Sequence, residues 1–213
     1  ETLEFVPGLA TSWTVSPEGL TYTFGLREGV TFHDGTPFNA PAVAANLDRI
    51  MNPMTASQKA RSLLGSYNGY EIVDDYTIRL QLSEPYSPLL DSLSQVYLGI
   101  ASPTALEVYS NERYQFHQVG TGPFRFVDYV PSDHLTLQRN FDYAWGPAFY
   151  EASTPDSVDE VEFRFYDQDA SARALALEGD EVQVIGELLP VDARALTANG
   201  AVQIQPTTIA GQP

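Results

Sequence analysis

Cysteine is absent from this chain, so neither a disulfide nor a thiolate metal site can form. Lysine occurs once, as Lys59, and eleven basic residues face 28 acidic ones, for a net charge of -17. Such a surface repels phosphate backbones and anionic lipid, which argues against nucleic acid or a membrane surface as partner. No apolar run approaches the roughly 18 residues that a membrane-spanning helix needs. The three histidines, His33, His117 and His134, lie far apart and outside any HExxH or HxH spacing, and read as surface or turn residues. A nucleophile elbow of the GxSxG type is missing as well. No cofactor motif is present, and no catalytic or metal-binding residue is assigned.

What remains is a well-populated apolar fraction, 43% of 213 residues, with 11 Phe and 12 Tyr. That composition fits one or two folded domains with a sizeable core and excludes a disordered chain. Tyr22, Phe24 and Leu26 alternate with small or polar residues, the period of a half-buried strand, after a turn at Pro17-Glu18-Gly19. Asp34-Gly35-Thr36-Pro37 is a second turn. Asn39 caps a helix with Pro41 in its first turn, and Val43, Leu47, Ile50 and Met51 share one face before Asn52-Pro53 ends it. A short helical stretch spans about Thr55–Leu64. Tyr70–Val73 and Tyr76–Leu82 flank Asp74-Asp75 as a two-residue hairpin. Short helices follow over Pro88–Leu93 and from Pro103 to about Tyr109.

From Gly120 the texture changes. Phe124–Val130 and Leu135–Arg139 read as strands around Pro131-Ser132-Asp133, and Val158–Phe165 as another. Ser171–Glu178 is a helix, Val182–Ile185 a short strand, Pro190–Ala198 a helix and Val202–Ile204 a last strand. That order implies a mixed α/β fold with crossovers.

Two segments invite a chemical reading. Gly120-Thr121-Gly122-Pro123 suggests a phosphate loop, but Arg125 stands where a third small residue is needed and Pro123 lacks an N–H; these glycines read as geometry at a strand start. Asp167-Gln168-Asp169 suggests a calcium loop, yet the later acidic and glycine positions are missing, and Asp169 reads as a helix cap. Aromatics on irregular segments (Tyr67, Tyr97, Tyr143, Trp145, Phe149 and Tyr150) are suited to lining a cleft, since tyrosine joins an apolar body to a polar tip.

Seven phrases then fall in a distinctive order: Leu9–Trp13, Tyr22–Phe38, Asn46–Arg49, Asp74–Ile78, Ser102–Leu106, Gly120–Tyr143 and Ala172–Val182. Together they resemble the family 5 solute-binding proteins of ABC importers, the peptide- and nickel-binding receptors. Departures are small: Ala144 intervenes before Trp145, and Phe124 replaces a Tyr or Trp.

The resemblance implies a two-lobed clamp closing on a ligand. Residues 1-119 correspond to its inserted subdomain Ib and residues 120-213 to part of subdomain Ia, with lobe II and the N-terminal strands of Ia outside this chain. It implies a receptor without catalytic activity, monomeric when intact, that captures an oligopeptide-like solute and delivers it to a membrane permease. The implied location is periplasmic or extracellular, with or without a lipid anchor. On this resemblance the ligand wall comprises Tyr67, Tyr97, Gly99 and Ile100. Gly99 stands near the position of an arginine in the nickel-binding members, which leans the reading toward peptides. A nickel-chelate or other small organic solute receptor is the alternative, and a hydrolase or a stand-alone protein-interaction module lies further off.

Overall fold

The computed structural model describes residues 4–147, 158–166, 170–186, 188–199 and 202–203. The chain divides into two compact units, one of Glu1–Tyr129 with Thr136–Glu162, the other of Val130–Leu135 with Phe163–Pro213.

The first unit is built on a four-stranded sheet in the order β1-β2-β4-β3, with β1 Ala10–Val15, β2 Thr21–Leu26, β3 Tyr67–Asp74 and β4 Thr77–Leu82. All three pairings are antiparallel. The alternation read in Tyr22, Phe24 and Leu26 is realised: these three are buried and their neighbours only half so. On β4, Ile78, Leu80 and Leu82 repeat the pattern on the same face. Helix α1 (Ala40–Met51) covers that face. Its start follows from Asn39, whose side-chain oxygen accepts the Ala42 N–H at 3.0 Å, and from Pro41 in the first turn. Leu47 and Ile50 are buried against the sheet, joined by Phe32 and Phe38 in an edge-to-face pair.

Shorter helices complete this unit: α2 Gln58–Leu63, α3 Leu89–Leu93, α4 Pro103–Val108 and α5 Asn111–Tyr114. Strands β5 (Phe124–Val130), β6 (His134–Arg139) and β7 (Glu160–Arg164) lie side by side in that order in a second sheet. Helices α6 (Ala170–Glu178) and α7 (Pro190–Asn199) belong to the second unit, where Ala174, Ala176 and Leu196 are buried.

Three expectations need correction. The hairpin between β3 and β4 turns at Asp75-Tyr76, one residue later than expected, because the Asp74 carboxylate accepts the Tyr76 N–H at 2.8 Å while Asp74 itself stays paired with Thr77. Val182–Ile185 is not a strand: the N–H groups of Glu181 and Val182 donate back to the Ala176 carbonyl, wrapping the chain off the end of α6. Val202 and Gln203 are not in a strand either. Phe149, Tyr150, the Asp167–Asp169 segment and Ile204 lie outside the described residues.

Candidate functional site

Two of the seven phrases, Tyr22–Phe38 and Gly120–Tyr143, meet at His33, Gly120 and Gly122 in the first unit. The His33 backbone N–H donates to the Gly120 carbonyl at 2.9 Å, and its ring Nε2 lies 3.0 Å from the Gly122 carbonyl. A carbonyl only accepts, so Nε2 carries the proton. Asn140, 6% exposed, donates through Nδ2 to the same Gly122 oxygen at 3.1 Å. Its Oδ1 receives Nε and Nη2 of Arg125 at 3.0 and 2.7 Å, and Arg125 Nη2 also reaches Asp142 at 2.7 Å. Burial pushes the His33 pKa below its ordinary value; the Gly122 bond opposes that shift and the Arg125 charge adds to it. This is a scaffold clasp.

Neither Gly120 nor Gly122 has a positive φ, and a Cβ at either would meet nothing within 4 Å. What this loop supplies to the clasp is its carbonyls.

The segment from Gln95 to Ser102 is held in place from three directions. Asn46 on α1 is buried, and both ends of its side-chain amide bond the Ala101 backbone, accepting its N–H at 2.9 Å and donating to its carbonyl at 2.8 Å. Ser102, fully buried, donates to the Asp34 carboxylate at 2.5 Å, and its N–H donates to the Val119 carbonyl at 2.9 Å. Burial raises the Asp34 pKa, but the hydrogen bonds from Ser102 and Thr36 outweigh it and leave the carboxyl below its usual range.

That segment forms one side of an apolar cavity of about 460 Å³ between the sheet, α1 and α3. Leu47 and Ile50 from α1 and Ile78 and Leu80 from β4 form the deep wall; Leu90 and Leu93 of α3 face them. Gly99 and Ile100 line it.

The four expected wall residues do not converge. Tyr97 sits on the turn just before Gly99, 57% exposed, with the Lys59 ammonium of α2 5.6 Å from its ring centre. Tyr67, at the start of β3, lines a separate hollow with Met51, Arg61 and Gly65. Burial pushes its hydroxyl pKa strongly upward, with Asp48 and Tyr70 adding to the shift. Tyr143 and Trp145 pack against each other at 5.1 Å, and the Arg27 guanidinium lies 5.6 Å over Trp145.

Sequence reasoning did not anticipate the wall contributed by Phe5, Val6 and Leu9, or by Leu90 and Leu93. A signal existed for the latter: on α3, Leu90 and Leu93 are three residues apart and so share one side of the helix.

Comparison with known proteins places this geometry in a family. The glutathione-binding protein GsiB of Pectobacterium atrosepticum is 35% identical over 197 residues, covering 92% of this chain and 36% of its own length. The chain thus spans about a third of the length of that relative. Among solved structures, the periplasmic binding protein DppA of Helicobacter pylori, in complex with the peptide STSA, matches with a TM-score of 0.76 and 32% identity, covering 92% of this chain and 41% of that one. MoaA of A. tumefacien R10, in complex with mannopinic acid, matches with a TM-score of 0.77 and 27% identity over 93% of this chain and 39% of that one. A family model matches residues 4–212, nearly the whole chain, and this protein belongs to that family, the bacterial extracellular solute-binding proteins, family 5 Middle.

Proposed function

We propose that this chain is part of the receptor of an ABC importer, and that the complete protein captures an oligopeptide-like solute and hands it to a membrane permease. The observation that carries this reading is the family match over residues 4–212. Relatives named for glutathione and a neighbour holding a tetrapeptide support a peptide-like solute. The complete receptor works outside the cytoplasmic membrane, as a monomer, by hinge closure that the ligand favours through its higher affinity for the closed form. It binds without turning its ligand over. Residues 1-119 serve as the inserted subdomain of lobe I and residues 120-213 as part of its sheet-bearing subdomain.

Gly99 and Ile100, with Tyr97 beside them, form one part of the ligand wall that this chain contributes, and Tyr67, on its separate hollow, forms another. Support comes from Gly99 and Ile100 lining the apolar cavity, with the exposed Tyr97 beside them. Gly99 has an ordinary φ of -57°, and a Cβ there would meet only the Val96 carbonyl oxygen at 3.5 Å. Neither backbone conformation nor internal crowding therefore demands glycine, and on this reading its place is to leave the backbone open to a ligand.

The test is calorimetry on the complete gene product, stripped of bound solute, against short peptides, glutathione and a nickel–histidine chelate. Binding of a peptide with a stoichiometry of one is the expected result. Exclusive binding of the chelate, or hydrolysis of the peptide, would overturn the proposal.

A further inference from the structure

Strand β3 carries chemistry that the receptor reading does not use. We propose that Asn68 is a site of spontaneous backbone modification, deamidating through the Gly69 nitrogen to a mixture of aspartate and isoaspartate.

The first argument is the residue pair. When the backbone nitrogen of the next residue attacks an asparagine side chain, a five-membered ring closes, and any side chain on that next residue hinders it. Glycine has none. Among the described residues Asn68-Gly69 is the one Asn-Gly pair. Gly69 has a φ of +144°, and a Cβ there would meet nothing within 4 Å. The second argument is the freedom of the amide. Asn39, Asn46, Asn52 and Asn140 each engage a backbone group with the side chain. Asn68 is exposed, and its amide makes no hydrogen bond among the described residues. Asn111 is exposed as well, but the bulkier Glu112 follows it. Asp34-Gly35 could close the same ring, yet its carboxylate is held by Ser102 and by the Thr36 N–H.

The third argument is the backbone. Strand β3 lies at the edge of its sheet, and the pairing passes from Tyr67 with Leu82 to Gly69 with Gln81. Asn68 is thus the extra, unpaired residue of a bulge. The Gly69 nitrogen must turn toward Asn68 Cγ for the ring to close. At a bulge on an edge, such a local opening leaves the central strands β2 and β4 paired.

In the reaction the Gly69 nitrogen, its proton taken by hydroxide, bonds to Asn68 Cγ. The Cγ–Nδ2 bond breaks, and Nδ2 leaves as ammonia after taking a proton from water. Water then opens the succinimide. Cleavage at Cγ leaves aspartate; cleavage at the main-chain carbonyl leaves isoaspartate, with one more carbon in the main chain. Either product adds a negative charge to a chain already at -17. Isoaspartate also sets its added carbon between the pair of Tyr67 with Leu82 and that of Gly69 with Gln81, beside the Tyr67 that lines the second hollow.

The experiment incubates the complete gene product at pH 8.5, folded and in urea. Peptide mapping by mass spectrometry follows each asparagine, and isoaspartyl methyltransferase labels the product. Asn68 in the folded protein is expected to convert faster than Asn39, Asn46, Asn52, Asn111 and Asn140. Its rate is expected within about tenfold of that in urea, as a low-energy local opening allows. The rate should fall at pH 6.5, because the nitrogen reacts without its proton. Asn68→Gln, whose ring would have six members, is expected to remove the signal from this peptide and leave the fold intact. Asn199-Gly200 falls in a different peptide and is read separately. Folding that protects Asn68 more than about tenfold, or conversion no faster than at the other five asparagines, would overturn the proposal.

Discussion

Asn46 grips the backbone of Ala101 on both sides of its Cα, Oδ1 taking the N–H at 2.9 Å and Nδ2 giving to the carbonyl at 2.8 Å. The residue sits in the middle of α1, where its own Nδ2 also reaches the Ala42 carbonyl at 2.9 Å. Because Asn46 is 4% exposed, removing its amide leaves the Ala101 N–H without that acceptor in a place water reaches poorly. Asn46→Ala is expected to destabilise the protein by about 2–3 kcal/mol, from the unmet donor and the lost bond to the carbonyl. Asn46→Asp keeps the acceptor and buries a charge, and is expected to cost at least as much near neutral pH. Urea unfolding with an unchanged m-value reads both. A shift below about 0.5 kcal/mol for the alanine variant would show that the clasp is not what holds this segment.

His33 sets a pH dependence whose sign follows from its surroundings. Burial holds its pKa below the ordinary 6.5, with Arg125 adding and the Gly122 bond opposing. Between the folded value and about 6.5 the unfolded chain binds more protons than the folded one, so stability rises with pH there. The contribution is complete above the unfolded value and is lost as pH falls toward the folded one. Stability measured at pH 7.5, 6.5 and 5.5 should decline more in the wild type than in His33→Gln, whose amide can still donate to Gly122. His117 and His134 are present in both proteins and cancel in the difference. Parallel curves would show that His33 titrates alike in both states.

Arg125 and Asp142 make an ion pair, but their contributions differ. Arg125 is 37% exposed and places Nε and Nη2 together on the buried Asn140, whereas Asp142 is 86% exposed. An ammonium cannot reproduce that fork. Arg125→Lys is therefore expected to destabilise by about 1–2 kcal/mol, from bonds lost around Asn140. Asp142→Asn removes only a solvated charge and should stay within about 0.5 kcal/mol. Equal effects in chemical denaturation would assign the energy to the ion pair instead.

These cases show why part of the molecule was readable from sequence and part was not. Strand β2 and the start of α1 were legible because their signals are local: a period of two in Tyr22, Phe24 and Leu26, and a cap three residues before the N–H it binds. Strand β1 was not, because a bulge between Ala10 and Ser12 breaks its alternation and leaves no clear period. The expected strand at Val182–Ile185 had suitable residues, but neither sheet among the described residues includes it. At the candidate site, Gly99 and Ile100 share a wall because they are near neighbours in the chain. Tyr67 opens on a different hollow, which depends on its pairing with Leu82 and on Gly65 lying against Tyr86; no local pattern encodes those two facts.

Two glycines near the candidate site should respond in opposite ways. Gly65 has a φ of +57°, and a Cβ there would fall 2.7 to 2.8 Å from three ring carbons of Tyr86. Gly65→Ala must pay a left-handed backbone and displace an aromatic ring, an expected loss of about 2–3 kcal/mol in thermal or urea unfolding. Tyr86→Leu in the same chain should recover part of it, since the ring is the obstacle and the backbone strain remains. Gly99 has an ordinary φ and room for a Cβ, so Gly99→Ala should leave stability within about 0.5 kcal/mol. Its effect is expected in binding, where a methyl group at the cavity mouth keeps a ligand's backbone away and weakens affinity about tenfold. A Gly99→Ala protein with full affinity and unchanged stability would remove Gly99 from the ligand wall, whatever becomes of the other three residues.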